Sequence, residues 1–324
     1  MVKSFFIAFS MNKLTINDIA KLCGVGKSTV SRVLNNDPKV SEKTKQHVLA
    51  VIKQYNFKPS RSARAMRGIE NKVIGIIVTR LDSSSENRVL RGILNRLEEL
   101  GYEHFITESR FDIELVQEHL YSFEQRQIDG IIVFGFSGLG QKILQPYSSK
   151  LVAIAQYYPA LTSIYYDDQG AIRLLLERLY QENYRHIGYI GIHKQDYTTG
   201  YLRYQSYMDF CAAHQLSPNA CLGELNYLTG YALTAEILQQ PNTDAIVCAT
   251  DSLAFGVNKF LQEQQRDDIQ VCSVGNNPLL KFLFPQNISI NFGLFRAGQS
   301  AVELLINLLA TGQKTHCCIP SNFE

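Results

Sequence analysis

Short runs of β-branched and other apolar residues alternate with amphipathic stretches through most of this 324-residue chain. Alternating strand and helix patterns of this kind predict parallel sheets joined by crossover helices. Because residues 71–324 are too many for one sheet of ordinary size, we expect a two-lobed α/β domain with a cleft between the lobes. The predicted strands are residues 73–79, 130–134, 151–154, 186–190, 245–248 and 271–274.

An all-α domain is predicted ahead of this region, over residues 14–58. Thr15 and Asp18 have the spacing of a capping box, so a helix should begin near residue 16, and Gly24 can end it in the left-handed conformation. Gly26 then opens a second helix, and two short helices joined by a glycine turn make a helix-turn-helix. Ser41 can cap a third helix. The predicted core residues are Val30, Val33, Leu34, Val48, Ile52 and Tyr55.

The polar face of the second helix is the candidate DNA reader. Lys27, Ser28 and Arg32 lie where a recognition helix reaches base edges in the major groove. Phosphate is an alternative partner for Arg32, and an ordinary exposed helix face is the alternative for all three. The segment from residue 24 to Ser28 ends in the same Gly-Lys-Ser sequence as a phosphate-binding loop. That motif needs a glycine where Lys21 stands, and a preceding strand where the pattern predicts a helix.

The charge of the chain is unevenly distributed. Residues 1–68 carry 13 Lys and Arg against 3 Asp and Glu, a net +10, whereas the rest of the chain has 19 against 27, a net −8. A small cationic module can replace the counterions condensed on DNA, so this asymmetry favours a nucleic-acid-binding arm. A solvated basic face is the alternative.

The segment after Pro59 has helical composition but too few apolar residues to fold alone. We expect residues 59–70 to form a hinge helix or linker that orders on DNA or in a dimer. Met66, flanked by Arg64 and Arg67, suits a wedge that opens a base step in the minor groove. A plain basic linker is the alternative.

The seven cysteines are odd in number and contain no C-x-x-C pair, which favours reduced thiols in the cytoplasm. Residues 1–13 are expected to be a tail, of which residues 1–10 have no assigned function and are not translated if Met11 is the true start. The apolar run after Lys3 is too short for a signal peptide. No stretch of the sequence reaches the length of a membrane span.

The sequence contains no H-E-x-x-H, G-x-S-x-G or strand-associated G-x-G-x-x-G motif, so we expect neither an enzyme nor a bound cofactor. His186 and His193 flank a strand, but two histidines without a third ligand do not predict a metal site. The runner-up is a sugar-binding protein of the periplasmic type without a DNA-linked function. The basic arm and the lack of an export signal argue against it.

Ligands of parallel sheets bind beyond the carboxyl ends of the strands, and the residues there are polar. We assign Arg80 to a phosphate group, with a surface pair to Asp82 or Glu86 as the alternative. Asp167 and Asp168 follow a short strand, where a helix cap is equally consistent. The predicted effector site from this reasoning is Arg80, Leu81, Asp82, Ser83, Ser84, Ser85, Glu86, Gly135, Asp196, Tyr197, Thr198, Thr199, Arg203, Asp251 and Ser252.

Residues 14–20, 24–25, 28–35 and 59–66 together resemble the lactose/galactose repressor family. The resemblance implies a homodimeric repressor with a periplasmic-binding-protein-like domain and a hinge helix in the minor groove. It implies lobe crossings near Asp167 and Phe292, with a final return after about residue 312, and sugar contacts by Arg203 and Asp251. The DNA-binding set predicted with its help is Thr15, Lys27, Ser28, Thr29, Ser31, Arg32, Asn35, Arg61, Ala63, Arg64 and Met66.

Within that family, residues 61–68, 76–82, 85–87, 134–136 and 166–168 are most similar to the regulators of trehalose operons. This similarity implies trehalose 6-phosphate as inducer and adds Gln156 and Leu294 to the effector site. The chain departs from that branch at both positions, where a basic residue and a tyrosine are usual. The predicted function is a repressor of a sugar-utilisation operon that binds pseudo-palindromic double-stranded DNA. A same-family repressor with a different sugar effector is the alternative.

Overall fold

The computed structural model describes residues 14–34, 37–55, 57 and 72–323. The chain divides into two compact units, Met1–Asn71 and Lys72–Glu324. The predicted hinge, with Arg61, Ala63, Arg64 and Met66, lies outside the described residues, and so does Asn35.

The first unit contains three helices, α1 (Ile16–Leu22), α2 (Lys27–Leu34) and α3 (Glu42–Gln54). The predicted capping box is confirmed: the Thr15 hydroxyl accepts from the backbone N–H of Asp18, and the Asp18 carboxylate accepts from the backbone N–H of Thr15. Gly24 has φ +64°, so it ends the turn after α1 in the left-handed region as expected. Ser41 caps α3 by accepting from the backbone N–H of Thr44.

The predicted core of this unit needs one correction. Tyr55 is 45% exposed, and Phe57, only 7% exposed, closes the core in its place. Tyr55 is the C-cap residue of α3, and the chain turns back after it, with the Phe57 N–H donating to the Ile52 carbonyl at 3.0 Å. The helical spacing that placed Tyr55 inward therefore no longer applies where the helix has ended.

The second unit contains two six-stranded sheets, each the centre of one lobe, as predicted. In the first sheet the strand order is β11-β5-β4-β3-β1-β2, with all neighbours parallel. The strands β1, β3 and β4 are buried along their whole length, as sheets covered by helices on both faces require. The strands of this sheet are β1 (Val73–Val78), β2 (Glu103–Glu108), β3 (Gly130–Phe134), β4 (Leu151–Ile154), β5 (Thr162–Tyr166) and β11 (His316–Ile319).

In the second sheet the order is β12-β10-β9-β8-β6-β7, and the pair of β10 with β12 is antiparallel. The strands β2, β7, β10, β11 and β12 were not predicted, because they are short or partly exposed and lack a continuous apolar run. The strands of this sheet are β6 (Ile187–Ile192), β7 (Asn219–Gly223), β8 (Ala245–Cys248), β9 (Gln270–Val274), β10 (Ile288–Asn291) and β12 (Asn322–Phe323).

Crossover helices cover the two sheets. A 3₁₀ turn at Gln145–Tyr147 and a π-helix at Tyr197–Leu202 interrupt the regular pattern. The helices of this unit are α4 (Ser84–Glu99), α5 (Ile113–Gln125), α6 (Gln141–Leu144), α7 (Asp168–Gln181), α8 (Arg203–Ala213), α9 (Tyr227–Ile237), α10 (Asp251–Glu263), α11 (Pro278–Leu283) and α12 (Leu294–Thr311).

The chain crosses between the lobes three times. The first crossing lies at Asp167, after β5, and the second at Phe292, after β10, as the resemblance implies. The third lies between Ile319 and Asn322, later than expected, because the residues after Gly312 first add β11 to the edge of the first sheet. The loops at the ends of these strands carry the candidate site.

Helix α4 is held in place by close packing against α12. A Cβ atom on Gly92 would lie 2.0 Å from the Phe295 carbonyl oxygen, and one on Gly298 would lie 2.0 Å from that of Val89. The two helices therefore approach backbone to backbone, which only glycine permits. This contact fixes the N-terminal end of α4, whose first residues belong to the predicted effector site.

Candidate functional site

Helix α2 presents a polar face with few partners. Val30 and Val33 are buried against the other two helices, while Lys27 and Ser28 are exposed. Thr29 and Ser31 are half-buried at the edges of that face. A helix face of exposed cationic and hydroxyl side chains can donate to phosphates and to the edges of bases.

Arg32 remains available on the same face. Its side chain is 57% exposed, and its Nε atom lies 3.9 Å from Asp37 Oδ2. Such an exposed pair contributes little energy and is easily exchanged for another anion. The Thr15 side chain, in contrast, already forms the hydrogen bonds of the capping box, and its hydroxyl donates to Asp18 Oδ2 at 2.6 Å.

In the second unit, the predicted cleft residues form four groups and three further positions near the carboxyl ends of the strands. The first group follows β1, and its organising residue is Glu86. One Glu86 oxygen accepts from the Thr79 hydroxyl, and the other accepts from the backbone N–H groups of Thr79 at 2.9 Å and Arg80 at 3.3 Å. Burial raises the pKa of Glu86, and these hydrogen bonds oppose the rise. Glu86 therefore holds the loop in shape.

Arg80 lies at the centre of this loop. Its side chain is 33% exposed, and its Nε atom lies 3.8 Å from Asp82 Oδ1, the acid proposed as its alternative partner. That Nε atom is buried and makes no hydrogen bond within residues 14–34, 37–55, 57 and 72–323. Its guanidinium also lies 5.8 Å from the centre of the Phe111 ring. Arg80 thus keeps donor capacity for an anion.

The remaining residues of this loop differ in their roles. Ser83 caps α4 by accepting from the Glu86 N–H at 3.3 Å, and Ser84 Oγ accepts from Asn277 Nδ2 of the other lobe at 3.0 Å. Leu81, Asp82 and Ser85 are exposed.

The second group is a buried ion pair beneath the first crossing. Arg203 donates to Asp168 Oδ1 from Nε at 2.7 Å and from Nη2 at 2.6 Å, and its Nη1 donates to the Ala249 carbonyl. The guanidinium also lies 5.0 Å from the centre of the Phe292 ring. Burial raises the pKa of Asp168, and the charge of Arg203 opposes the rise. Each of the three guanidinium nitrogens of Arg203 therefore has a partner within the second lobe.

The neighbouring residues of the first crossing resolve an alternative left open by the sequence. Asp167 is the N-cap of α7, because its side chain accepts from the Gly170 N–H at 2.9 Å. The Tyr166 hydroxyl oxygen is buried without a hydrogen-bond partner among the described residues, and its ring stacks on Phe292 with centres 5.0 Å apart. Tyr166, the last residue of β5, was not predicted as a site residue.

The third group follows β6. Asp196 caps the π-helix, with its Oδ1 atom accepting from Thr199 N at 2.7 Å, from Gly200 N at 3.1 Å and from the Thr198 hydroxyl at 3.3 Å. Tyr197 is exposed, and its N–H donates to Ser137 Oγ of the first lobe at 2.6 Å. A π-helix is rare and is frequently found at functional sites.

Asp251 anchors the loop after β9. One of its oxygens accepts from the hydroxyls of Ser273 at 2.6 Å and Ser289 at 3.0 Å, and the other accepts from the Asn277 N–H at 2.7 Å. Burial raises the pKa of Asp251, and these hydrogen bonds oppose the rise. Ser252, the next residue, is exposed.

The last three predicted residues lie at the ends of neighbouring elements. A Cβ atom on Gly135 would lie 2.9 Å from that of Gln156, so these two loops touch. Gln156 Oε1 accepts from the Tyr158 hydroxyl at 3.4 Å. Leu294 is buried at the start of α12.

Metal-binding clusters and membrane-spanning helices are both absent from the described part of the chain. Over residues 14–34, 37–55, 57 and 72–323, the His, Cys, Asp and Glu side chains form no group of three that could hold a metal ion. None of the described helices combines the length and apolar character needed to cross a bilayer.

Comparison with known proteins identifies the class of this protein. Residues 15–60 match the family model "Bacterial regulatory proteins, lacI family", and residues 176–320 match the "Periplasmic binding protein-like domain". The chain is 48% identical over 91% of its length to the HTH-type transcriptional regulator TreR of Salmonella typhimurium, of which 93% is covered. The chain therefore belongs to the lacI family and is a DNA-binding transcriptional regulator, not an enzyme.

Two further relatives agree with that conclusion, and a third, more distant protein shares the fold. The regulator TreR of Escherichia coli is 47% identical over 97% of this chain and 99% of its own length. The solved structure titled trehalose repressor from Escherichia coli matches 79% of this chain and 100% of its own, with 41% identity and a TM-score of 0.77. A lac repressor dimer bound to operator shares the fold, at 20% identity and a TM-score of 0.86 over 96% of this chain and 97% of its own.

Proposed function

We propose that this protein represses a trehalose-utilisation operon and leaves its operator when trehalose 6-phosphate binds. The observation that carries the proposal is the 47–48% identity to two TreR regulators, which extends over at least 91% of this chain. The likeness includes both units, so the DNA-binding part and the ligand-binding part are inherited together. A protein that acts on chromosomal DNA works in the bacterial cytoplasm.

DNA recognition is assigned to the polar face of α2. Lys27, Ser28 and Arg32 would read bases or hold phosphates, with Thr29 and Ser31 at the rim. Thr15, at the N-terminal end of α1, and Asn35 would contact the DNA backbone. The hinge residues Arg61, Ala63, Arg64 and Met66 would enter the minor groove.

A homodimer on a pseudo-palindromic operator is part of the proposal, because two-fold symmetric proteins bind two half-sites. Exposed apolar side chains on two helices of the second lobe favour such self-association, because homodimer interfaces are rich in apolar surface. The exposed residues, on α9 and α11, are Tyr227, Leu228, Leu279, Phe282 and Leu283, of which Phe282 is 80% exposed.

The effector site is assigned to the cleft, with Arg80 on the phosphate. Arg80 retains an unpaired Nε atom, and its nearest acid is exposed and 3.8 Å away. A guanidinium is suited to phosphate because its donors match the phosphate oxygens. Sugar hydroxyls both donate and accept, so the Asp, Ser, Thr and Tyr side chains of the predicted set would bind them. Arg203 and Asp251, which the family resemblance assigns to sugar contacts, would also shape the site through the bonds described above.

The switch is a two-state coupling between cleft and operator. Effector binding would favour closed lobes, separate the two hinges of the dimer and lower operator affinity. Thermodynamic linkage requires that operator weaken effector binding by the same factor. Calorimetry with and without operator measures this factor, and equal effector affinities in the two titrations would contradict the switch.

The decisive test of the proposal is operator release. A labelled DNA fragment from the region upstream of the gene is titrated with protein at one stated salt concentration, and fluorescence anisotropy is recorded with trehalose 6-phosphate, with trehalose and without either. We expect tight binding that only the phosphate ester releases. Absence of DNA binding together with sugar binding would favour a sugar-binding protein of the periplasmic type.

The residue-level test is Arg80→Ala, with Arg110→Ala as a control at an exposed arginine. We expect Arg80→Ala to weaken trehalose 6-phosphate by at least about tenfold, or ~1.4 kcal/mol, and to leave the weaker affinity for trehalose unchanged. An equal loss for both sugars would remove the phosphate role.

A same-family repressor with another sugar effector is the second candidate. Gln156 is neutral and Leu294 is buried, and these are the two positions at which the chain departs from the trehalose branch. Operator binding that trehalose 6-phosphate does not release would favour this candidate. A panel of other sugar phosphates in the same anisotropy assay would then identify the effector.

A further inference from the structure

Arg88, on the second turn of α4, forms hydrogen bonds across the cleft. Its Nη1 atom donates to the Gly275 carbonyl at 2.5 Å and to the Asn276 carbonyl at 2.9 Å. Helix α4 belongs to the first lobe, and residues 275 and 276 follow β9 in the second. One side chain therefore makes two charge-assisted hydrogen bonds from lobe to lobe.

The loop that receives Arg88 is held in an unusual shape. Gly275 has φ +140° and Asn276 has φ +54°, both in the region that L side chains rarely adopt. A Cβ atom on Gly275 would lie 2.4 Å from an oxygen of the Asp251 carboxylate, so the loop packs directly on that side chain. Ser289 adds a hydrogen bond from the Asn276 N–H at 2.9 Å.

Asp251 thus acts on Arg88 through this loop. Its carboxylate accepts from the Asn277 N–H at 2.7 Å, and the carbonyls of the two preceding residues accept from Arg88. The positive charge of Arg88 also acts on the buried carboxylate, since it lowers the pKa of Asp251 against the effect of burial. The Arg88 charge therefore favours the ionised Asp251 carboxylate, and that carboxylate in turn holds the loop whose carbonyls accept from Arg88.

Two neutral hydrogen bonds join the lobes nearby. Asn277 Nδ2 donates to Ser84 Oγ at 3.0 Å, one turn before Arg88, and the Tyr197 N–H donates to Ser137 Oγ at 2.6 Å. A neutral hydrogen bond contributes less than a charge-assisted one. Arg88 is consequently the link whose loss should matter most.

We propose that Arg88 is a positioning residue that clasps the two lobes together and thereby sets the affinity of the cleft for its effector. An effector that binds closed lobes has an apparent affinity scaled by the fraction of molecules already closed. Arg88 raises that fraction through the loop carbonyls, without itself bonding to the ligand. This inference rests on the proposed effector function for its affinity effect, but the clasp itself exists without a ligand.

The ligand-free test is hydrogen–deuterium exchange of the full-length protein. In Arg88→Met the amides of residues 275–280 should exchange about tenfold faster, equivalent to ~1.4 kcal/mol, while those of β1 and β8 stay unchanged. Arg88→Lys should recover part of the protection, because it keeps a cationic donor. Arg173→Met, which removes an exposed arginine bonded within its own helix, is the matched control. Exchange in Arg88→Met equal to that in wild type would overturn the proposal.

The affinity test uses trehalose 6-phosphate and calorimetry on the same four proteins. We expect Arg88→Met to weaken binding by about tenfold, Arg88→Lys by about threefold, and Arg173→Met not at all. Operator affinity without effector should not fall in any of them. Unchanged affinity in Arg88→Met would refute the affinity effect. Wild-type protein that binds no trehalose 6-phosphate would instead refute the proposed effector, and the exchange experiment would still decide on the clasp.

Discussion

Arg32 in the helix-turn-helix and Arg203 in the two-lobed unit are the same residue type in opposite situations. The Arg32 side chain is 57% exposed, and its nearest acid is 3.9 Å away. Arg203 is buried and bonds to Asp168 and to the Ala249 carbonyl. An arginine that will bind an external anion keeps its donors available, whereas a buried arginine must satisfy them within the fold.

The same contrast divides the predicted ligand residues of the cleft. Glu86 and Asp251 hold loops in shape, and Asp196 caps a helix, so their polar atoms already have partners. Arg80 retains a buried Nε atom without a partner among the described residues. Side chains of the first kind determine the shape of the cleft, and those of the second kind are available for a ligand.

The largest expected effect comes from breaking the buried pair. Asp168→Ala leaves the Arg203 charge buried without its carboxylate, so the free energy of unfolding of the two-lobed unit should fall by ~3–5 kcal/mol. Urea denaturation measures this loss. Arg266→Met, which breaks an exposed pair with Asp268 at 2.7 Å, should cost less than about 1 kcal/mol. Equal losses in the two variants would remove the distinction between buried and exposed arginines.

The next effect tests the corrected core of the small unit. Phe57→Ala should lower the free energy of unfolding of the helix-turn-helix by about 3 kcal/mol, because a buried aromatic ring is lost. Tyr55→Ala removes an exposed ring and should change it by less than about 0.5 kcal/mol. Circular dichroism of the full-length protein on heating follows this transition. A larger loss in Tyr55→Ala than in Phe57→Ala would show that Tyr55, not Phe57, belongs to the core.

A smaller change in binding is expected at the reading face. Arg32→Ala should weaken binding to the operator by ~1–3 kcal/mol, because an exposed guanidinium that reads a base or holds a phosphate is lost. The salt dependence of anisotropy titrations separates these two roles. Loss of one phosphate contact should reduce the slope of log K against log salt concentration by about one, whereas loss of a base contact should leave it unchanged. Arg110→Ala is the control. Unaltered operator affinity in Arg32→Ala would mean that its face of α2 does not meet DNA.

The smallest effect concerns the helix cap. Thr15→Ala removes the hydroxyl that caps α1 and should destabilise the small unit by ~1 kcal/mol, measured by its midpoint of thermal unfolding. Thr15→Ser keeps the hydroxyl and should restore most of the stability. A Thr15→Ala protein as stable as wild type would show that tertiary packing alone holds this helix.

Local chemistry was sufficient for much of the fold. The capping box at Thr15, the left-handed turn at Gly24 and the apolar runs of β1, β3, β4 and β8 depend on residues close in sequence. Their physics is that of short-range hydrogen bonds, backbone conformation and hydrophobic periodicity. Short or half-exposed strands such as β7 and β10 escaped prediction because neighbouring strands, rather than their own pattern, stabilise them.

The fold class, the helix-turn-helix and the strand ends that carry the candidate effector site could all be predicted from the sequence, because they follow from periodicity, composition and turn residues. Which polar residues already have partners could not be predicted in this way, since Arg203 with Asp168 and Arg88 with the loop at Gly275 are far apart in the chain. Whether a buried polar group is satisfied depends on what packs against it. That partner is fixed when the two lobes assemble, and no local pattern encodes it.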